Sequence, residues 1–236
     1  MDYRQSHLSK GDTYDETIAS SPFDAYMARW EAEYLRETVP RLTHGGGRYL
    51  DFACGTGRIT AAVSPMVAEA VGVDISESML ATARQRCPSA RFVCADLSRE
   101  TMELGQFDLA TSFRFFGNAE DDLRTAALTA ISRLVRRGGN LIINSHRNPH
   151  AIGSLLQARG GSSHGMDLSY WKISRMLRDH GFRIVSARPI GFWVFRSRLR
   201  TEHALTHAWA AIAERAFRHG IWAPWAPDCI LLAERR

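Results

Sequence analysis

"YLDFACGTGRIT", residues 49–60, decides how this chain folds. An apolar run that carries Asp51 leads into a turn with Gly55 and Gly57, and helical spacing follows. Glycine has no Cβ, so a glycine turn between a strand and a helix lets the backbone approach a ligand closely. Thr60 stands where the GxGxxG pattern of dinucleotide folds has its third glycine. Because the Asp51 carboxylate would repel a diphosphate, the turn favours a cationic, phosphate-free nucleoside over NAD.

Short apolar runs alternate with amphipathic stretches on both sides of this turn. Such alternation predicts a parallel sheet with helices on both of its faces. The predicted strands are 48–53, 69–76, 90–97, 107–113, 140–146, 182–190 and 228–236. The predicted helices are 22–40, 57–66, 77–86, 119–137, 168–181 and 202–220, with Gly138 and Gly139 ending the fourth of them.

Two further acids follow predicted strands. Asp74 comes 17 residues after Gly57 and can accept hydrogen bonds from ribose hydroxyls, a need that NAD and S-adenosylmethionine share. Asp96 can accept from an adenine amino group, and the Leu97 amide can donate to a ring nitrogen. Parallel strands present their carboxyl ends at one edge of a sheet, so we expect these groups to meet there.

Composition narrows the class of protein. The chain has 236 residues, 45% of them hydrophobic and 23% charged, which suits one soluble α/β domain. We see no secretory signal, no membrane-spanning run and no zinc-type cysteine spacing, so we expect a cytoplasmic protein with reduced thiols and no metal. Residues 1–146 hold 16 Lys and Arg against 19 Asp and Glu, while residues 147–236 hold 14 against 6. That basic third favours an anionic partner, or is a solvated face.

The quoted turn, "VGVDISESML", "ADLS" and "FDLATSFRFF…LVRRGGNLIIN" resemble the successive motifs of class I S-adenosylmethionine-dependent methyltransferases, over about residues 45–145. The resemblance implies a Rossmann-like, doubly wound α/β fold. Its seven-stranded, mostly parallel sheet has an antiparallel last strand. It also implies S-adenosyl-L-methionine as cofactor. Asp51 to Gly57 would hold the methionine end and Asp74 the ribose. The implied cofactor residues are Tyr14, Asp51, Ala53, Cys54, Gly55, Gly57, Asp74, Ile75, Met79, Asp96, Leu97 and Phe113.

We expect the whole chain, residues 1–236, to form one methyltransferase domain. Within it we expect an N-terminal cap (1–44), a cofactor-binding core (45–146), a substrate or lid region (147–220) and a final strand (221–236). Monomer and homodimer both stay open.

His146 is the candidate catalytic residue. It ends the fifth predicted strand, and an imidazole titrates near neutral pH, as a general base should. The alternative is that His146 only hydrogen-bonds the lid. The expected acceptor is a hydroxyl or amine of a small molecule, with an anionic group that Arg196, Arg198 and Arg200 could bind. Three rivals stay open: an RNA methyltransferase, a cofactor-binding protein without turnover, and an NAD enzyme.

Overall fold

A computed structural model describes residues 22–146, 148–151, 168–191, 212 and 214–236. Tyr14, Arg147, most of the predicted lid and Arg196, Arg198 and Arg200 lie outside the described residues. The helices are α1 (Pro22–Thr43), α2 (Arg58–Val63), α3 (Glu77–Arg86), α4 (Asp121–Leu134) and α5 (Tyr170–Asp179). The strands are β1 (Arg48–Phe52), β2 (Glu69–Asp74), β3 (Arg91–Cys94), β4 (Phe107–Ser112), β5 (Val135–Ser145), β6 (Phe182–Ile190) and β7 (Asp228–Arg235).

The seven strands form one sheet in the order β3-β2-β1-β4-β5-β7-β6. Strands β1 to β5 pair in parallel, and β7 runs antiparallel between β5 and β6. The predicted fold class is confirmed: a doubly wound, mostly parallel sheet with an antiparallel last strand. The order reverses between β1 and β4, which is where an open α/β sheet forms a ligand crevice.

Apolar side chains cover both faces of the sheet. On one face α1 and α2 pack through side chains such as Trp30, Leu35 and Ile59. On the other face α4 and α5 pack through side chains such as Leu128 and Ile173. The central strands are buried from both sides, which explains why they appear in the sequence as continuous apolar runs.

Two predicted boundaries were wrong. Helix α4 ends at Leu134, and β5 begins at Val135, so Gly138 and Gly139 lie within the strand instead of ending the helix. The strand accommodates the two glycines because the β4–β5 register shifts between Phe107 and Leu109. Gly138, on the β5 side of this irregularity, has φ +74°. Ahead of β7, which begins at Asp228 as predicted, residues Gly220–Trp225 form a 3₁₀ helix.

Candidate functional site

A cavity opens at the carboxyl edge of β1, β2 and β4. It brings together ten of the twelve residues that the sequence assigned to the cofactor. Gly57 is not among its lining residues, and Tyr14 lies outside the described part of the chain. The lining includes Asp51, Ala53, Cys54, Gly55, Asp74, Ile75, Met79, Asp96, Leu97 and Phe113, together with Arg58, Arg114 and Phe115.

The turn after β1 has a left-handed backbone at three positions. Ala53, Gly55 and Gly57 have φ values of +58°, +53° and +74°. Only glycine adopts such a backbone without cost, so the backbone of Ala53 is strained there. A Cβ on Gly57 would lie 2.9 Å from the Ala83 Cβ, so this glycine lets α2 begin against α3. Gly57 therefore shapes the turn without lining the cavity.

Asp51 is a buried carboxylate on the cavity wall, with 1% of its surface exposed. The hydroxyls of Thr60 and Thr111 donate to it at 2.6 and 2.9 Å. Burial raises the pKa of Asp51 from 3.8 to about 6, although both hydroxyls act to lower it. A buried carboxylate in this position favours a cationic ligand, because a nearby positive charge offsets the cost of keeping the acid ionised.

Asp74 joins two loops at the end of β2. Its carboxylate accepts from the Gly55 amide at 2.8 Å and from the Ser76 amide at 2.9 Å. Ser76 in turn accepts from the Met79 amide and so caps the N-terminus of α3. Asp74 thus holds the glycine turn against α3 while it lines the cavity, where a doubly wound sheet offers an acid to ribose hydroxyls.

Asp96 begins a tight turn after β3. Its carboxylate accepts from the backbone amide and the hydroxyl of Ser98, and Arg99 lies 3.7 Å away. Leu97 is buried, with 4% exposed, and contributes both to the cavity lining and to the core. Both residues therefore lie where the sequence predicted, and their contact with an adenine ring stays a prediction.

Two arginines also line the cavity, and sequence reasoning assigned them no cofactor role. Arg58 pairs with Glu31 at 2.7 Å, and Arg114 pairs with Asp24 at 2.8 Å. Both acids belong to α1. One signal of this was present in the sequence: Glu31 falls at helical spacing among the apolar residues of α1, and a charged residue there needs a partner in the fold.

His146 follows β5 and lies outside the cavity lining. It is buried, with 8% exposed, and its Nδ1 is 3.7 Å from Asp228 Oδ1 at the start of β7. A second buried acid, Glu214, is close enough to Asp228 to be affected by its charge. Glu214 accepts from the Tyr26 hydroxyl at 2.8 Å and from the Gly191 amide at 2.7 Å. Burial raises the pKa of Glu214 to about 7, and the charge of Asp228 adds to the shift. The catalytic role of His146 stays a prediction.

Neither metal-site geometry nor a spanning helix occurs in the part of the chain that the structure describes. No three His, Cys, Asp or Glu side chains there are grouped to hold a metal ion. No helix there has the length and hydropathy needed to cross a membrane.

Known proteins are similar to this chain in sequence and in fold. Residues 50–139 match the family model described as "Methyltransferase domain". A ubiquinone biosynthesis O-methyltransferase of Methylococcus capsulatus is 28% identical over 162 residues, which cover 62% of this chain and 68% of that protein. The structure of magnesium protoporphyrin IX methyltransferase from Synechocystis PCC 6803 with bound SAH matches 99% of this chain and 98% of its own, with 16% identity and a TM-score of 0.69. The structure of the [4+2]-cyclase SpnF matches 100% of this chain and 97% of its own, with 18% identity and a TM-score of 0.64.

These matches confirm the predicted resemblance. Over residues 50–139 the chain is similar to a methyltransferase domain. The solved structures, each under 25% identical, show the fold. The chain spans about half the length of some curated relatives it matches, 52% of one and 48% of another.

Proposed function

We propose that this protein transfers a methyl group from S-adenosylmethionine to a hydroxyl or amine of a small molecule. The observation that carries the proposal is the set of acceptors in the cavity. Asp51, Asp74 and Asp96 line it together, and both lining arginines are paired with carboxylates of α1. A wall rich in carboxylates suits an ammonium, a sulfonium, ribose hydroxyls and an adenine amino group, and it disfavours a diphosphate.

The residues present fit this cofactor. The left-handed turn at Ala53 and Gly55 brings backbone close to the cavity, as a ligand held along the turn requires. The apolar lining of Ile75, Met79 and Phe113 suits the faces of an adenosine. When bound, S-adenosylmethionine supplies a methyl group activated on a cationic sulfur.

The protein's own residues then mainly position and shield the reactants. Asp51 would hold the positively charged end of the donor, and Asp74, together with the turn, would hold its ribose. Holding two reactants in line and away from water can supply about 7–11 kcal/mol of a barrier. His146 accepts the proton of a hydroxyl acceptor. Asp228, whose Oδ1 is 3.7 Å from His146 Nδ1, stabilises the imidazolium that forms.

We propose a small-molecule acceptor with an anionic group. The relative from Methylococcus capsulatus is named for ubiquinone biosynthesis, which supports a small molecule. The excess of Lys and Arg in residues 147–236 supports the anionic group. We expect a cytoplasmic monomer or homodimer that needs neither metal nor nucleic acid.

Calorimetry with three ligands tests the cofactor. S-adenosylmethionine and S-adenosylhomocysteine should bind with micromolar Kd, about −8 kcal/mol, and NAD should show no measurable heat. Tight NAD binding would overturn the interpretation of the turn. Mass spectrometry of small molecules released from the denatured protein would identify a co-purified cofactor independently.

One alternative has a specific observation in its favour. The structure of the [4+2]-cyclase SpnF covers 100% of this chain, and a fold does not fix the reaction. Transfer of a labelled methyl group into a small-molecule extract distinguishes the two functions, since a protein without methyl transfer binds the cofactor and moves no label.

The RNA alternative is tested with Arg196→Glu plus Arg198→Glu. Loss of salt-dependent transfer RNA binding supports RNA, and a raised KM for an anionic acceptor supports the small molecule.

A further inference from the structure

Two carboxylates of α1 are paired with the two arginines of the cavity wall. Glu31 Oε2 is 2.7 Å from an Arg58 guanidinium nitrogen, and Asp24 Oδ1 is 2.8 Å from one of Arg114. Neither acid is a lining residue of the cavity. The α1 acids therefore act on the site through the arginines, from outside it.

Glu31 is the more deeply placed of the two acids. It is fully buried, and its second oxygen accepts from the Asn144 amide at 2.6 Å. The Asn144 oxygen accepts from the backbone amide of Arg114, also at 2.6 Å. Glu31 thus contacts the start of α2 directly and the segment after β4 through Asn144, so one side chain connects two sides of the cavity mouth.

The charges of the cavity wall depend on these pairs. The lining includes three carboxylates, Asp51, Asp74 and Asp96, and two guanidiniums, Arg58 and Arg114. The charge of Arg58 is felt at Asp51, because its attraction is among the effects that lower the pKa of that carboxyl. Without a neutralising acid, each guanidinium would make the potential in the cavity more positive.

We propose that Glu31 and Asp24 are specificity residues, which set the preference of this cavity for a cationic ligand over its neutral counterpart. The inference rests on the proposed function. S-adenosylmethionine and S-adenosylhomocysteine differ by one methyl group and one positive charge on sulfur. The ratio of their two affinities therefore isolates the effect of charge from the shared contacts to adenosine and to the amino acid.

The expected effect is measurable. By Coulomb's law, removing a unit negative charge ~10 Å from a cationic ligand atom, at an effective dielectric constant of ~20–40, would change the affinity for the cation by about four- to sixteenfold. The affinity for the neutral thioether should change much less. If the α1 acids had a purely structural role, their removal would instead lower the affinities for both ligands by the same factor.

The experiment is calorimetry with both ligands on the full-length protein and three variants. Glu31→Gln and Asp24→Asn should each lower the ratio of S-adenosylmethionine to S-adenosylhomocysteine affinity, by about four- to sixteenfold for Glu31→Gln. Glu37→Gln is the matched control on the same helix, since Glu37 pairs with Arg188 away from the cavity. Its ratio should equal that of the wild type.

A fourth variant covers the case in which Glu31→Gln does not fold, because it leaves Arg58 without its buried partner. In Glu31→Gln with Arg58→Gln the acid and the guanidinium are removed together, so the ratio should rise to the wild-type value or above it, because Arg58 is the nearer charge. The inference is overturned if Asp24→Asn and this double variant both fold and the Asp24→Asn ratio stays unchanged. It is also overturned if the double variant loses affinity for both ligands equally. A wild-type protein that binds neither ligand would instead overturn the proposed function.

Discussion

Replacing Asp51 with Asn should make the protein more stable and a weaker binder of its cofactor. Burial raises the pKa of Asp51 from 3.8 to about 6, a difference of about two units. The ionised carboxylate therefore costs the folded protein about 3 kcal/mol at pH 7. Because the folded state binds this proton more tightly than the unfolded chain, stability falls as the pH rises from about 4 to about 6. The full cost is present above pH 6.

Asparagine is neutral throughout this range and keeps one acceptor oxygen. The hydroxyls of Thr60 and Thr111 both donate to Asp51, so the substitution disturbs one hydrogen bond at a cost of about 1–2 kcal/mol. The net expected gain is about 1–2 kcal/mol at pH 7, or about 2–8 °C in Tm. Loss of the charge should weaken S-adenosylmethionine binding by at least about tenfold, about 1.4 kcal/mol.

Denaturant unfolding at pH 4.5 and pH 7, with calorimetry at pH 7, measures both effects. The gain in stability should shrink at the lower pH. Asp108→Asn is the matched control, because Asp108 lies outside the cavity and its pKa is lowered by the Arg48 amide and by Arg136. That variant should lose stability at pH 7 and keep its cofactor affinity. An Asp51→Asn protein that is less stable than the wild type at pH 7, or binds as tightly, refutes the reasoning.

Three other outcomes are expected. Asp74→Ala should weaken cofactor binding by about 1–3 kcal/mol in calorimetry, and an unchanged Kd would remove Asp74 from the site. Gly57→Ala should lower the free energy of unfolding by about 2–4 kcal/mol, since its Cβ would meet Ala83 at 2.9 Å in a left-handed backbone, whereas Gly55→Ala should cost only about 1–2 kcal/mol. His146→Ala should reduce turnover about 10²–10⁴-fold with cofactor binding intact, and a loss of only a few-fold would make it a packing residue.

The lining of the cavity was predictable because its signals are local in sequence. Gly55 and Gly57 mark left-handed positions between a strand and a helix, and each predicted acid comes at or near the end of a predicted strand. Parallel strands bring such ends to one edge whatever the rest of the chain does. Ten of the expected residues therefore line one cavity. Short apolar runs likewise located all seven strands, although β5 begins at Val135 and not at the predicted residue 140.

The α4–β5 boundary shows where local signals fail. Two adjacent glycines usually end a helix, and they predicted that this helix ends at Arg137. The helix instead ends three residues earlier, at Leu134, because Val135 pairs with Phe107 across the sheet. Strand pairing depends on residues far away in the sequence, and it outweighs the local preference of the Val135–Arg137 segment for a helix.

The charge of the cavity has the same non-local origin. Asp24 and Arg114 are 90 residues apart in the sequence, and Glu31 is 113 residues from Asn144. Nothing in the glycine turn indicates that Arg58 is neutralised, since its partner belongs to a helix that precedes the first strand. A fully buried Glu31 costs free energy unless it is paired, so the fold retains it only together with Arg58 and Asn144. The motif residues line a cavity at this edge of the sheet, and we expect the pairing of α1 with the two arginines to set which ligand charge that cavity favours.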